Sequence, residues 1–220
     1  MRSVALPSAQ TILALIWVGL LAGGLALAVW AAQADHFPGD VAVGRWIQAN
    51  DVPGRDVMDF VRDVGSSVAG VITVALAIAA LALTRRWGLA LGSLPLFGGF
   101  ALAWVLKKVV ARPRTSIDYL VQKGTFDSLS FPSGHVMSST LAGGLLLYLC
   151  WRVSAPLWLR LPIAVWALGV LLLSPWVAVS AGVHWPSDAL GGFVWGLVAL
   201  LPILWLLERL RPRDRRFRWR

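Results

Sequence analysis

Six long apolar stretches, separated by short polar segments, dominate the pattern of this chain. They run over about 11–32, 66–83, 89–106, 136–151, 161–179 and 189–207. Each approaches the roughly 20 residues that an α-helix needs to cross a bilayer's hydrocarbon core. The fourth is short and borrows Gly134 and His135 at its start. Between the first two lies a polar excursion, 35–63, in which Val41, Val43, Trp46 and Ile47 form the apolar side of a short amphipathic helix on the membrane surface. Gly39 and Asp40 precede that helix and Pro53-Gly54 ends it, which suits a cover over the outer mouth of the bundle. No internal repeat or low-complexity segment interrupts the pattern. The prediction is an all-α integral membrane bundle of six transmembrane helices with one interfacial helix, forming a single domain over 1–220.

Composition supports a bilayer as the solvent. Of the 220 residues 58% are hydrophobic and 14% charged, and the mean hydropathy is +0.71. Soluble domains carry nearer a quarter charged residues. The net charge of +9 would invite a nucleic-acid reading. The positive residues, however, sit in short runs between apolar blocks, and no nucleic-acid motif accompanies them, so membrane topology explains them better. Cys150, the only cysteine, lies inside an apolar run and reads as a small buried side chain.

Charge also orients the chain. With the N-terminus inside, the inner segments hold Arg2, Arg85, Arg86, Arg152, Arg160 and the arginine-rich tail 209–220, which would rest on anionic inner-leaflet lipid. Glu208 and Asp214 are the inner acids, and the others lie outside. The segment 107–135 and the turn around His184 then share the outer face. Small residues at Ala31-Ala32-Gln33-Ala34 also admit a cleaved signal peptide, but the run before them is long for that role and only Arg2 precedes it.

Three polar clusters stand at span ends. In Lys107-Lys-Val-Val-Ala-Arg-Pro-Arg114, clustered cations suit a phosphate, arginine as a bidentate fork and lysine as a point charge. A basic stop at the interface is the plainer reading, although outer-face cations are the less expected sign. Pro113 would fray the helix and let Arg112 and Arg114 bend inward. In Pro132-Ser133-Gly134-His135, a helix N-terminus with a hydroxyl and a glycine makes an anion cradle, with an imidazole at its rim. In Gly182-Val-His184-Trp-Pro-Ser-Asp188, the aspartate four residues after the histidine can accept one imidazole N–H, freeing the other nitrogen. A histidine so oriented is a metal ligand or a nucleophile; the plainer reading is a helix cap beside an interfacial histidine. Two histidines and an aspartate could hold zinc, but no further strong ligand is near. The neighbouring cations attract an anion rather than a metal.

This ordered set resembles the type 2 phosphatidic acid phosphatases (PAP2), relatives of the vanadium haloperoxidases, whose elements are K-x6-R-P, P-S-G-H and S-R-x5-H-x3-D. The likeness covers roughly 89–207, and the six-span layout extends it to the whole chain. The middle element matches in full. The resemblance implies that Lys107 and Arg114 hold phosphate oxygens and that Ser133 and the Gly134 backbone hold another. It further implies that His184 attacks phosphorus, Asp188 orients His184, and His135 protonates the leaving oxygen. No metal or other cofactor is implied.

Two of the three elements depart from the pattern. Thr115 stands where the family has a proline. More consequentially, Val177 and Ala178 stand where it has serine and arginine, so one phosphate-binding guanidinium is missing. Arg112 is the candidate to replace it from the first loop. The expected activity is hydrolysis of a lipid phosphate or diphosphate at the outer face of a bacterial plasma membrane, with both termini cytoplasmic. The resemblance suggests undecaprenyl diphosphate, phosphatidic acid or phosphatidylglycerol phosphate as substrate. Alternatives are a phosphotransferase that passes the phosphoryl group to a lipid acceptor, and a lipid-binding or transport protein on a retired scaffold. The third-span glycines Gly92, Gly98 and Gly99 suggest close packing within or between subunits; the oligomeric state is not encoded legibly.

Overall fold

The fold, a computed structural model, describes residues 8–50, 55–123 and 128–210. Arg2, Pro53-Gly54 and the basic tail beyond Leu210 fall outside the described residues. All regular elements among those described are helical: α1 (Ala9–Gln33), α2 (Asp40–Ala49), α3 (Arg55–Val64), α4 (Ser67–Leu83), α5 (Trp87–Ser93), α6 (Leu96–Val110), α7 (Gly134–Arg152), α8 (Leu157–Ser180) and α9 (Pro186–Leu210). Local chemistry sets several starts. Ser8 and Ser66 cap α1 and α4 by accepting the backbone N–H of Thr11 and Ala69, both at 3.2 Å. Pro186 opens α9, where its missing N–H costs nothing.

Among the described residues, four helical segments have the length and apolarity to cross a membrane: α1, α5 with α6, α8 and α9. A fifth is reached if α3 and α4, bent by 57° at their junction, count as one span. The third apolar run divides at Leu94-Pro95 into α5 and α6 but keeps the length of one span. Helix α7 misses the criterion because serine, threonine and glycine dilute it. Those small residues serve packing instead, since α7 is the hub. Met137, Leu141 and Leu145 are fully buried at the centre of the main core. Gly192 and Gly196 of α9 face it so closely that a Cβ would come within 2.6 Å of the Ser133 carbonyl and 2.7 Å of Thr140. Small residues four apart allow such backbone approach. Gly92 and Gly99 likewise meet α9 and α7 within the chain, whereas Gly98 meets nothing within 4 Å.

The polar segments gather at one end of the bundle. Helix α2 lies there, tied to the 119–121 backbone by Arg45 and Gln48. Its apolar residues divide: Ile47 is buried, while Val43 and Trp46 are exposed. At the opposite end Arg152 pairs with Glu208 at 2.7 Å, and Gly88 abuts the Leu210 carbonyl.

Candidate active site

The first cluster begins where α6 stops. Ala111 takes a left-handed conformation, φ 52°, and turns the chain after Val110. The helix thus ends three residues before Pro113, and Arg112 and Arg114 leave in different directions. Lys107, still on α6, donates its ammonium to the carbonyls of Leu129 and Ser130. A Cβ on Gly134 would lie 3.7 Å from Lys107 Cε, so the first and second clusters are neighbours. Arg114 is anchored on both sides: Nε donates to the Ser128 carbonyl at 2.7 Å, Nη2 to Ser128 Oγ at 2.6 Å and Nη1 to the Val183 carbonyl at 2.9 Å.

Arg114 Nη1 also lies 3.2 Å from His184 Nε2. A guanidinium only donates, so Nε2 must be the accepting nitrogen and the ring proton sits on Nδ1. Nδ1 lies 3.6 Å from Asp188 Oδ2, longer than a hydrogen bond, and the two form an ion pair only when the ring is protonated. The His184 ring is almost fully buried. Burial pushes its pKa down to about 4 against the opposing Asp188 charge, so it is neutral near pH 7 with a lone pair on Nε2. Burial also lowers the Arg114 pKa, again opposed by Asp188, but a guanidinium stays charged. The turn that presents His184 depends on Gly182, at φ 71°, where a Cβ would come 2.0 Å from the Val121 carbonyl.

Asp188 is buried completely and held from three sides. Its oxygens accept from Arg112 Nη1 at 2.6 Å, from Ser130 Oγ, and from the Trp185 backbone N–H at 2.8 Å. Arg112 is not among the residues that line the pocket shared by the two histidines. It is fully buried, pairs with Asp188 and, at 3.4 Å, with Asp40, donates to Ser187 Oγ at 2.9 Å, and stacks over Phe37. Its remaining Nε–H faces the carbonyls of Ala34 and Asp35. Moving it to a substrate would strand two buried carboxylates, so the expectation that it replaces the missing arginine does not fit its position. Asp40, in turn, accepts the N–H and hydroxyl of Ser187 at 2.9 and 2.6 Å, which locks α2 to the start of α9.

One pocket is lined by Arg114, His135 and His184, together with Ser174, Val177, Ala178, Ala181, Val183 and Arg62. The two predicted imidazoles therefore share a cavity. Ser133 lies fully buried at the start of α7; its hydroxyl caps nothing and has no partner among the described residues. Its backbone N–H is taken by the Asp188 carbonyl at 2.9 Å. Sequence reasoning missed Arg62, Asp40, Ser128, Ser130 and Ser187. Only the sign of Arg62, a cation on the outer side, hinted at one of them. Among the described residues no three His, Cys, Asp or Glu side chains converge as a metal ion would require.

The chain is similar to known proteins. A family model, the PAP2 superfamily, matches residues 73–212. The chain is 40% identical over 131 residues to the decaprenylphosphoryl-5-phosphoribose phosphatase of Mycolicibacterium smegmatis. That alignment covers 58% of this chain and 65% of the relative, so it spans less than two thirds of the relative's length. In fold, the chain is similar to the crystal structure of the first transmembrane PAP2 type phosphatidylglycerolphosphate phosphatase from Bacillus subtilis. The TM-score is 0.72 over 90% of this chain and 98% of that one, at 23% identity.

Proposed function

The chain belongs to the PAP2 superfamily, and on that premise we propose that it is a metal-independent membrane phosphatase acting on a lipid phosphate or diphosphate. The observation that carries the reading is the shared pocket, in which an arginine-contacted, neutral His184 faces the same space as His135. His184 Nε2 donates its lone pair to phosphorus, and the bond from phosphorus to the leaving lipid oxygen breaks. His135 supplies the proton that oxygen needs. Asp188 stabilises the positive charge that the imidazole gains. Water, deprotonated by His135, then attacks the phosphohistidine, breaks the P–N bond and releases phosphate. Lys107 and Arg114 neutralise the phosphoryl oxygens, with Ser133 Oγ and the Gly134 N–H at the α7 N-terminus completing the cradle. Arg112 positions Asp188 from behind and does not touch the substrate.

Helix α7 serves as a further crossing, making six with the α3–α4 pair counted once. Its 19 residues would extend about 28 Å at the usual helical rise, close to the hydrocarbon thickness. Its polar residues face protein, not lipid: Ser138, Ser139 and Thr140 are all buried. Six crossings put both termini on the same side; with that side cytoplasmic, as the inner arginines favour, the pocket faces the outside of a bacterial plasma membrane and α2 lies at the interface.

Substrates to compare are undecaprenyl diphosphate, phosphatidic acid and phosphatidylglycerol phosphate. A polyprenylphosphoryl sugar phosphate joins them because the Mycolicibacterium smegmatis relative is named for one. Purified protein should release phosphate from at least one, and His184→Ala should release none. Adding an acceptor lipid separates hydrolysis from transfer: a phosphotransferase would move the phosphoryl group onto the acceptor. Equal phosphate release by wild type and His184→Ala would sink the proposed mechanism.

A further inference from the structure

Taking the phosphatase reading as given, we propose that Arg62 of α3 supplies the second guanidinium of the phosphate site, in the space that Ala178 leaves open. Arg62 and Ala178 line the same pocket as Arg114, His135 and His184. Family resemblance expects an arginine at 178 on α8; the side chain there is a buried methyl group. A longer side chain from a neighbouring helix can enter the space it vacates.

The packing delivers that neighbour. Met58 and Val61 of α3 bury themselves against Val177, flanked by Leu173 and Trp176, so α3 lies on α8 beside Ala178. The end of α3 is pinned as well. Gly65 sits so close to α7 and to the preceding turn that a Cβ would meet Val61 O at 2.8 Å and Ser139 Oγ at 3.1 Å. Arg62 therefore projects from a fixed helix end. It is also within electrostatic reach of the His135 imidazole, as is Asp63.

Its present partners are easily exchanged. Arg62 contacts Asp59 at 2.9 Å and Asp63 at 3.6 Å, both on its own segment, with the Arg62 side chain 39% exposed and those of Asp59 and Asp63 49% and 74% exposed. Such exposed pairs contribute little. A phosphoryl group in the pocket offers a guanidinium two oxygens in fork geometry and a higher charge. Arg112 lacks this freedom, since two buried carboxylates hold it. The pocket thereby gains a second guanidinium beside that of Arg114 for the equatorial oxygens of the pentavalent transition state.

The test compares Arg62→Ala, Arg62→Gln, Arg62→Lys and the double variant Arg62→Ala/Ala178→Arg with wild type in detergent. Three quantities are read: turnover of a short-chain lipid phosphate, competitive inhibition by inorganic phosphate, and thermal stabilisation by inorganic phosphate. Arg62→Ala should lower kcat/KM by about a hundredfold and weaken phosphate inhibition by about tenfold, as expected for one lost oxyanion donor. Arg62→Lys should keep part of the activity. Ala178→Arg should restore at least about tenfold to Arg62→Ala, because it returns a guanidinium from α8. If Arg62→Ala does not fold, Arg62→Gln carries the same comparison. The proposal is overturned if Arg62→Ala or Arg62→Gln stays within about twofold of wild type. It is also overturned if turnover falls while phosphate inhibition is unchanged, or if neither Arg62→Lys nor Ala178→Arg recovers activity. A wild-type protein that releases no phosphate from lipid counts against the phosphatase reading; stabilisation by phosphate, compared between wild type and Arg62→Ala, then still decides the role of Arg62.

Discussion

Arg112 looks in the sequence like a phosphate ligand and in the fold like a keystone. Its charge is matched by Asp40 and Asp188, both buried. Removing one member of such a set leaves uncompensated charge in the interior, which costs about 3–5 kcal/mol. Arg112→Ala should therefore lower the melting temperature strongly, and the loss should appear in protein without any lipid present. A stable Arg112→Ala protein with only a raised KM would return Arg112 to the substrate side. His184 makes a second prediction. Its pKa falls from an ordinary value near 6.5 to about 4 in the folded chain. Between those values the unfolded chain takes up a proton that the folded chain refuses. Stability from this group is thus complete above pH 6.5, declines as pH falls, and is fully lost below about 4, a change of up to about 3 kcal/mol. Melting curves of wild type and His184→Gln across that range should converge toward acid; parallel curves would contradict the burial of a neutral imidazole. Residue types and spacing made both imidazoles, Asp188 and the cation cluster legible. The partner of Arg112 was not, because Asp40 lies some seventy residues away and only the tertiary fold brings it near.

At the scale of elements, apolar run length located the helices well where the run was uninterrupted: the second stretch, 66–83, coincides with α4 (Ser67–Leu83). Backbone chemistry adds detail within the other runs. At Leu94-Pro95 the third run passes from α5 to α6 and still makes one span, and α7 starts at Gly134, as Pro132 and Ser133 favour. The role of α3 was illegible, since a short, charged amphipathic helix carries no signal of which helix it will lie on. The stop of α6 was read at Pro113, yet the chain turns at Ala111 in a left-handed conformation that costs a residue with a Cβ about 1–2 kcal/mol. Glycine is the residue that such a helix end favours. Ala111→Gly should accordingly stabilise the protein by about 1 kcal/mol, after the entropy that glycine adds to the unfolded chain is subtracted. An unchanged or lower melting temperature would mean that the turn is held by Arg112 and its partners rather than strained at Ala111.

For the whole molecule, function depends on which parts share a membrane face. Hydrogen bonds tie α2 to the 119–121 segment, Lys123 to Ala181, and Arg114 to Val183 and His184, so these parts occupy one end of the bundle. The Arg152–Glu208 pair marks the other end. Positive charge at both ends makes composition a weak guide to orientation, and α7 is the helix whose crossing matters most, because it alone separates the Arg114 loop from the segment before α8. Asp118 and Ser154 flank it and are both exposed. In a Cys150→Ser background, a cysteine at Asp118 should react with a membrane-impermeant maleimide in intact spheroplasts. A cysteine at Ser154 should react only after the membrane is opened. Labelling of both from outside would mean that α7 does not cross. Labelling of Ser154 alone would invert the molecule, put the pocket in the cytoplasm and turn the search for its substrate to the inner leaflet.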